Sequence, residues 1–372
     1  MRQAIRLALR ARGRTSPNPL VGCVIVAGGR VVATGYHKRA GLDHGEAAAL
    51  RKLDWQAPGA TAYVSLEPHN HQGRTPPCTE RLIAAGVSRV VIGMRDPNPL
   101  VSGSGVARLR RAGVVVDENV LADECRAINL PYLKFVATRR PLVTLKAAIT
   151  IDGKLAARGG DARWVSGEES RLETHRLRNE TDAILVGAST VRRDDPRLTT
   201  RLPGKTTRDP LRVILDGRLS ISPQARVLPA LILTTKDASQ TKARQLERRG
   251  AEIVRLAGRA GRVSLAAALD ELGRRDICSL LVEGGGEVHG QFLQAGLADR
   301  MLLFVAPKLY GQDGVPLIAV AGAAKMSGAW QLGPLATRRL GADLLLVGEI
   351  RALPTRLRAS SDWRSRRACA RA

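Results

Sequence analysis

Two segments in the N-terminal half contain side chains that bind transition metals, together with a carboxylate that can move a proton. His44 and Glu46 open one predicted helix, and Cys78 opens the next predicted helix after a Pro- and Gly-rich loop. Imidazole and thiolate are good ligands for Zn²⁺, and hydrolytic removal of an amino group needs a nearby glutamate that is not itself a ligand. The pattern predicts a metal site with His44 and Cys78 as ligands and Glu46 as the catalytic proton carrier. The structural alternative is a helix-capping histidine and a buried thiol.

A second constellation lies near the C-terminal end of the chain. The segment Val282-Glu283-Gly284-Gly285-Gly286-Glu287 is predicted to be a strand, a glycine-rich turn and a helix. Such a turn lets backbone N–H groups approach a phosphate, and the helix dipole favours its negative charge. The segment is not a G-x-G-x-x-G motif, so a simple tight turn remains an alternative.

Composition limits the classes of function. The 372 residues carry a formal net charge of +25, which indicates attraction to polyanions or to phosphorylated small molecules. Aromatic residues amount to only 3%, whereas proteins that stack nucleic-acid bases interleave aromatic and basic side chains, so we expect no nucleic-acid partner. We also expect no membrane partner, because no apolar run approaches the ~20 residues of a membrane span. Five cysteines, an odd number, favour a reducing compartment and therefore the cytoplasm.

Strand and helix patterns alternate along the first half, which predicts one mixed or parallel sheet with helices on its faces. A short N-terminal helix that ends at Gly13 is expected, rather than a cleaved leader. A hairpin is predicted from 21–26 and 30–35, followed by strands 62–66, 87–93 and 114–116 and by helices 44–53, 78–85, 106–112 and 122–137.

Arg139-Arg140-Pro141 interrupts this pattern and predicts a boundary between a domain at 1–138 and a domain at 141–350. Ser166 and Glu169 are predicted to form a capping box for a helix that starts at Glu168. The tail 351–372 holds seven arginines and one acidic residue, and we expect it to be disordered. The second domain is predicted to contain strands 142–150, 183–186, 211–215, 230–234, 252–254, 279–282 and 300–306, and helices 168–177, 240–249, 264–273 and 287–295.

Several motifs together resemble one enzyme family. Thr15-Ser16-Pro17-Asn18-Pro19 with Val21-Gly22, His44-x-Glu46, and Glu67-Pro68 through Gly73-Arg74-Thr75-Pro76-Pro77-Cys78 resemble the deaminase half of the bifunctional riboflavin-biosynthesis deaminase/reductase. Lys146 to Lys154, 160–164, 187–201 and 282–287 resemble its reductase half, in the same order. The resemblance implies an α/β fold, with an N-terminal cytidine-deaminase-like three-layer α/β/α domain and a C-terminal dihydrofolate-reductase-like α/β domain.

The implied zinc site contains one unusual ligand. In the family that the chain resembles, one His and two Cys bind Zn²⁺; here His44 and Cys78 match two of them, and His69 occupies the position of the other Cys. An imidazole is a good zinc ligand, although it replaces a thiolate and so raises the net charge of the site by one unit. Two interpretations stay open: a working zinc deaminase, or a degenerate deaminase domain attached to a monofunctional reductase. His71 is expected to face substrate, or to offer a substitute ligand.

The resemblance also implies residues for the reductase site, which uses NADPH. Ala162, Leu198, Arg201 and Glu283 are expected to contact substrate, and the family's common Ser is replaced by Ala162. The expected cofactor contacts are Ala148, Trp164, Thr190, Asp194, Gly217, Gly285, Gly286, Glu287, Val288, His289, Gly290 and Gln291.

The resemblance implies two consecutive reactions on a phosphorylated pyrimidine. The first is zinc-dependent hydrolytic deamination of 2,5-diamino-6-(5-phosphoribosylamino)pyrimidin-4(3H)-one; the second reduces the ribosyl side chain and gives 5-amino-6-(5-phosphoribitylamino)uracil. Two other interpretations are a nucleic-acid deaminase and a non-enzymatic binding module that binds its partner mainly through the basic tail. The former is disfavoured because such deaminases have Pro-Cys-x-x-Cys, whereas the loop between His69 and Cys78 is long. We also expect a homo-oligomer.

Overall fold

The computed structural model describes residues 1–72, 76–161, 165–204 and 207–351. Two separate α/β units follow each other along this part of the chain, each around its own sheet. The predicted tail 351–372 lies outside the described residues apart from Arg351, as do Gly73-Arg74-Thr75 of the N-terminal motif.

The first unit is built on a five-stranded mixed sheet with the strand order β2-β1-β3-β4-β5. β1 pairs antiparallel with both β2 and β3, whereas β3, β4 and β5 run parallel. The first four residues of β1 are all buried, so both faces of the sheet are covered at its centre. The elements are α1 (Arg2–Leu9), β1 (Gly22–Ala27), β2 (Arg30–Tyr36), α2 (Gly45–Leu50) with a 3₁₀ turn (Arg51–Leu53), β3 (Thr61–Val64), α3 (Cys78–Ala84), β4 (Arg89–Ile92), α4 (Ser104–Arg111), β5 (Val115–Asp117), α5 (Ala122–Ile128) and α6 (Leu130–Thr138).

The second unit is built on a ten-stranded sheet with the order β11-β10-β9-β8-β14-β6-β15-β19-β17, and β18 also pairs with β19. The strands from β11 to β15 run parallel, and β19 closes this edge antiparallel to β15. All five residues of β8 are buried, as expected for a strand covered on both faces.

The elements of the second unit from β6 to α10 are β6 (Leu142–Thr150), β7 (Lys154–Ala156), α7 (Glu168–Glu180), β8 (Ala183–Gly187), α8 (Ala188–Asp194), β9 (Leu211–Leu215), β10 (Leu231–Thr235), α9 (Gln240–Glu247), β11 (Glu252–Leu256), β12 (Gly258–Arg259), β13 (Arg262–Val263) and α10 (Leu265–Arg274). The remaining elements are β14 (Ser279–Val282), α11 (Gly286–Gln294), β15 (Arg300–Ala306), β16 (Val315–Pro316), a 3₁₀ turn (Met326–Gly328), β17 (Gln331–Leu332), β18 (Ala336–Leu340) and β19 (Asp343–Arg351).

The helix predicted at 122–137 is two helices, α5 and α6, that meet at Asn129. The side chain of Asn129 is buried and bonds to the backbone of Leu20, where it accepts from the N–H at 2.8 Å and donates to the carbonyl at 3.1 Å. Pro131 stands in the first turn of α6, where a proline is tolerated, so the chain restarts a helix there. The break therefore exists because Asn129 holds the segment before β1.

The capping box predicted for the helix at Glu168 is wrong. Gly167 is the N-cap residue of α7, and the helix has no capping bond from a local side chain. Instead, the buried carboxylate of Asp343 at the start of β19 accepts from the Gly167 N–H at 2.7 Å and from the Ser170 hydroxyl at 2.6 Å. A distant acid therefore caps α7 and fixes it to the edge of the second sheet.

Candidate functional site

The three predicted metal ligands converge at one edge of the first sheet. His44 precedes α2, Cys78 opens α3, and His69 lies in the loop that follows β3. Their ligand atoms all lie within 4.8 Å of one another, and the Nδ1 atom of His44 is 3.7 Å from the Sγ atom of Cys78. The structure thus brings two imidazoles and one thiol to a single point.

The loop that carries His69 is held in place from both sides. On one side, the buried carboxylate of Glu67 accepts backbone N–H groups from Gly103 at 3.0 Å, from Gly105 at 3.1 Å and from Val106 at 3.2 Å, so it caps the start of α4. A carboxylate at this end of a helix also interacts favourably with the helix dipole.

On the other side, α3 binds the loop next to the ligand itself. The Thr79 backbone N–H donates to the His69 carbonyl at 3.3 Å, and the Thr79 hydroxyl donates to Asn70 Oδ1 at 2.8 Å. Since Cys78 is the residue before Thr79, these bonds fix the relative positions of the two ligands.

Burial controls the protonation of this cluster. Burial first, and then the neighbouring His69, His37 and Arg81, lowers the pKa of His44 to about 3, so the ring is neutral and can act as a ligand. Burial and the nearby Glu46 raise the pKa of Cys78 well above its usual range. A thiolate at this position therefore needs a cation beside it, and a bound divalent metal would provide one.

Glu46 lies in the same cavity and is 2% exposed. Burial raises the pKa of its carboxyl to about 7, and its Oε2 atom has no hydrogen-bond partner. A buried carboxylate oxygen without a partner is costly unless a ligand or an ion satisfies it. The carboxyl group can therefore both hold and release a proton near neutral pH.

A cavity of about 400 Å³ opens onto this cluster. Four of the six histidines of the chain line it, with neighbouring ring centroids 4.9 Å apart for His37 and His44, 4.7 Å for His44 and His69, and 5.2 Å for His69 and His71. His37 is not available as a ligand, because its Nδ1 faces the Asp43 carbonyl at 3.0 Å and its Nε2 faces the Asn18 side-chain amide at 3.2 Å.

Among the residues that line this cavity, sequence reasoning missed His37 and Asp96. Asp96 is 5% exposed and accepts the Tyr132 hydroxyl at 2.9 Å. Burial raises the pKa of the Asp96 carboxyl. A usable signal existed for His37, because its partner Asn18 belongs to the Ser16-Pro17-Asn18-Pro19 motif. Nothing around Asp96 in the sequence indicates that it faces the cavity.

In the second unit, Glu283 directly follows β14 and forms a bidentate ion pair with Arg178 of α7, at 2.8 and 2.9 Å. Lys146 of β6 places its Nζ atom 3.6 Å from the same carboxylate. Burial would raise the pKa of Glu283, but the charges of Arg178 and Lys146 outweigh it and lower the pKa to about 2. Glu283 was predicted to contact substrate, whereas the roles of Arg178 and Lys146 were missed.

The other predicted substrate contacts have different surroundings. Arg201 is exposed, and its backbone N–H donates to His175 Nδ1 at 3.3 Å. The side chain of Leu198 is 4% exposed and packs in a hydrophobic cluster, which leaves little of its surface for a ligand. Ala162 lies outside the described residues, as does Trp164.

Several predicted cofactor residues line one cavity of about 330 Å³ at the ends of β8 and β9: Gly217, Glu287, Val288 and Gln291. Thr190 and Asp194 lie on α8, beside this cavity.

The remaining predicted cofactor residues lie on β6 and at α11. Gly285 precedes α11, Gly286 is its first residue, and Ala148 is half-buried in β6. His289 and Gly290 are buried within α11, and His289 Nε2 faces the Val282 carbonyl at 3.4 Å. Neither of these last two residues lines the cavity.

The two candidate sites lie at opposite ends of β14. Asp276, which comes just before this strand, lines the cavity with the histidines, and Glu283 follows the strand. The first unit rests on the same end of the second sheet as Asp276, where Ser16 Oγ donates to Asp182 Oδ2 at 2.8 Å. Each site is therefore formed by its own set of residues.

Comparison with protein-family models gives two matches, one in each of the two α/β units. Residues 1–94 match the cytidine and deoxycytidylate deaminase zinc-binding region, and residues 141–346 match the RibD C-terminal domain. Within the described residues, no helix is long and apolar enough to traverse a bilayer.

Known proteins are similar over nearly the whole chain. Riboflavin biosynthesis protein RibD of Aquifex aeolicus is 43% identical, over 84% of this chain and 87% of its own length. The structure of Acinetobacter baumannii RibD has a TM-score of 0.85 at 35% identity and covers 94% of this chain and 98% of that one. The Thermotoga maritima diaminohydroxyphosphoribosylaminopyrimidine deaminase/5-amino-6-(5-phosphoribosylamino)uracil reductase has a TM-score of 0.81 at 35% identity, over 94% and 97% of the two chains.

Together, the fold, the candidate metal site and these matches define a bifunctional enzyme. Its N-terminal domain is a zinc-dependent deaminase and its C-terminal domain is an NADPH-dependent reductase. The chain belongs to the RibD family of riboflavin-biosynthesis enzymes. The predicted fold class, enzyme class and cofactors are confirmed by these matches.

Proposed function

We propose that the chain first deaminates 2,5-diamino-6-(5-phosphoribosylamino)pyrimidin-4(3H)-one and then reduces its ribosyl side chain to give 5-amino-6-(5-phosphoribitylamino)uracil. The observation that carries this proposal is the convergence of His44, His69 and Cys78 within 4.8 Å, with Glu46 in the same cavity. The Thermotoga relative is named for both reactions, which supports the choice of substrate.

His44, His69 and Cys78 are the residues that would hold Zn²⁺. The donor set fits, because two imidazole nitrogens and one sulfur satisfy zinc and leave a position open for a reacting molecule. Zn²⁺ held by three protein ligands supplies Lewis-acid activation of water. With one thiolate and two neutral rings, the occupied site has a net positive charge, which also favours the ionised form of the neighbouring Glu46 carboxylate.

Glu46 moves the proton during deamination. The unsatisfied Oε2 atom is buried in the cavity, where it can accept a proton from the attacking water and later pass it to the departing amine. Without the metal, burial raises the pKa of this carboxyl to about 7. The positive charge of the occupied site would lower it again, so that the carboxylate is free to accept the proton. The substrate enters the cavity beside His37, His71 and Asp96.

In the reductase domain, Glu283 accepts hydrogen bonds from the substrate. The charges of Arg178 and Lys146 keep its carboxylate ionised and fix its orientation. Arg201 is exposed at the surface, and its guanidinium can bind a phosphate in a bidentate manner. NADPH supplies the hydride for this step. The protein itself orients the substrate and provides charged side chains at fixed positions.

The domain limits, assembly and location are part of the same proposal. A deaminase domain at 1–138 and a reductase domain at 141–350 are supported by the two separate sheets. A homo-oligomer is supported by the exposed apolar side chains of Ile151, Leu309 and Tyr310, because such patches often mark protein contacts. A cytoplasmic location is supported by the four free, buried cysteines in the described residues.

The test measures ammonia release and NADPH oxidation by the purified full chain in the presence of the pyrimidine substrate. Ammonia release should precede NADPH oxidation, and each should depend on the substrate. A metal-free wild type that releases no ammonia, but does so after His69→Cys, would leave a monofunctional reductase with a degenerate deaminase domain. Loss of NADPH oxidation with retained ammonia release would overturn the reductase half alone.

A further inference from the structure

Three arginines from three separate segments meet at the rim of the 330 Å³ cavity. Arg192 lies on α8, Arg218 follows β9, and Arg262 opens β13. All three are exposed. A cavity with several guanidinium groups at its rim attracts anionic ligands.

The turn after β9 is fixed by a buried acid rather than by the arginines. Asp216 is 2% exposed and accepts the backbone N–H of Ser220 at 2.6 Å and of Ile221 at 2.9 Å, together with the Ser220 hydroxyl at 3.0 Å. These bonds hold Arg218 and Ser220 on one turn, at the same edge of the cavity.

Close backbone packing further fixes the position of Arg218. A Cβ atom at Gly217 would lie 2.0 Å from the Gly261 carbonyl oxygen, and one at Gly261 would lie 2.4 Å from Arg218 Nε. The Arg218 side chain therefore lies directly over the turn between β12 and β13. This explains why both positions need glycine.

The three guanidinium groups differ in their partners. Arg262 donates to Glu287 Oε1 at 3.0 Å, so its charge is balanced. Arg192 donates to the neutral hydroxyl of Ser220. Within the part of the chain that the structure describes, neither Arg192 nor Arg218 pairs with a carboxylate. Two positive charges at this rim are thus uncompensated.

We propose that Arg192 and Arg218 bind the 2′-phosphate of NADPH and so select NADPH over NADH. The inference rests on the proposed reductase function and extends it to the residues that discriminate between the two cofactors. A phosphomonoester carries nearly two negative charges at neutral pH, which two guanidinium groups can balance.

The pyrophosphate of the cofactor would bind at a different place, the start of α11. The glycine-rich turn at Gly285 and Gly286 begins the nine-residue helix α11, whose backbone N–H groups suit a pyrophosphate. Arg192 and Arg218 come instead from α8 and from the turn after β9. The two sets of groups can therefore hold two different phosphates of one cofactor.

The test compares two ligands that differ only in the 2′-phosphate, adenosine 2′,5′-bisphosphate and 5′-AMP. Their binding to the full chain is measured by calorimetry for wild type, Arg192→Ala, Arg218→Ala and the double variant. We expect each single variant to bind the bisphosphate about ten-fold more weakly, in keeping with the loss of a charge-assisted hydrogen bond, and to bind 5′-AMP as wild type does. The KM ratio of NADH to NADPH should fall in parallel.

The matched control is Arg244→Ala, which removes the same charge from the last turn of α9, outside the cavity. Melting temperatures establish that each variant is folded. Equal weakening of both ligands, or a similar loss in Arg244→Ala, would overturn the inference and leave the reductase proposal intact. A wild type that binds neither NADPH nor the bisphosphate would overturn both.

Discussion

The Nδ1 atom of His44 lies 3.7 Å from the Sγ atom of Cys78, although 34 residues separate the two side chains in the sequence. The contact exists because α2 and α3 begin side by side at one edge of the first sheet. A neutral imidazole nitrogen and a sulfur at this spacing can both turn toward one cation, and His69 completes the set. The arrangement of these three side chains is the basis of the first two predictions.

His69→Ala should reduce zinc affinity by more than about 100-fold, because even outer-shell partners of a metal typically contribute 10–100-fold. His69→Cys should retain zinc, because a thiolate is an equally suitable ligand. Zinc content per chain and competition with a chelator measure both. His37→Asn is the matched control, since its ring also lies 4.9 Å from that of His44 but both ring nitrogens have other partners. Full retention of zinc in His69→Ala would exclude His69 as a ligand, whereas zinc loss in the control would show that the effect is not specific to His69.

Glu46→Gln should lower the rate of ammonia release by about 10²–10⁴-fold, the usual contribution of a positioned acid–base group. The amide has the same shape but cannot carry the proton. Zinc content and NADPH-dependent reduction of the deaminated intermediate should remain at wild-type levels, because Glu46 is remote from Glu283 and Arg178. A variant that keeps its deaminase rate would show that another group moves the proton.

The sequence pattern predicts much of the framework. β6, β9, β14 and β15 occupy the residues that the pattern predicts, because their buried apolar runs are short and are bounded by turn residues. The starts of α2 and α3 were also predicted, and with them the positions of His44 and Cys78.

The features that were missed depend on contacts between distant parts of the chain. Asn129 interrupts the predicted helix because it bonds to the backbone of Leu20, 109 residues away. The cap of α7 comes from Asp343, 176 residues beyond Gly167. No local pattern encodes such pairs, so periodicity and capping rules fail at these positions.

Gly105→Ala should destabilise the deaminase domain by about 2 kcal/mol, which is typical of overpacking. A Cβ at this position would lie 2.0 Å from the Pro68 carbonyl oxygen, and the strain would also shift the loop that carries His69. The same variant should therefore bind zinc more weakly. Urea unfolding and zinc content measure the two effects. Gly322→Ala, where a Cβ meets nothing within 4 Å, is the control. Equal stability of the two variants would contradict this explanation of the loop.

Arg178→Met should abolish most reductase activity and leave ammonia release unchanged. It removes the bidentate partner of Glu283, whose side chain is only 9% exposed, so stability should fall by about 3 kcal/mol. Part of the negative charge of Glu283 remains balanced by Lys146. The triple variant Lys146→Met/Arg178→Met/Glu283→Gln should recover stability but not activity, because it removes the charge of Lys146 together with those of the ion pair and leaves no unpaired charge buried. Failure of the triple variant to regain stability would show that Arg178 acts mainly through packing.

The stability of the reductase domain should depend on pH through His289. Its side chain is fully buried, and burial lowers its pKa to about 4, against about 6.5 for an unfolded histidine. The unfolded state therefore binds more protons between about pH 6.5 and 4, so this contribution to stability is complete above 6.5 and decreases as the pH falls through that range.

His289→Gln keeps a donor for the Val282 carbonyl but does not titrate. Between pH 7 and pH 5, wild type should lose about 2 kcal/mol of unfolding free energy relative to this variant, since one unit of pKa shift corresponds to about 1.4 kcal/mol. Urea unfolding of both proteins at several pH values measures the difference, and all other titrating groups cancel in it. A difference that stays constant with pH would mean that His289 becomes protonated without unfolding, and that α11 moves to admit the charge.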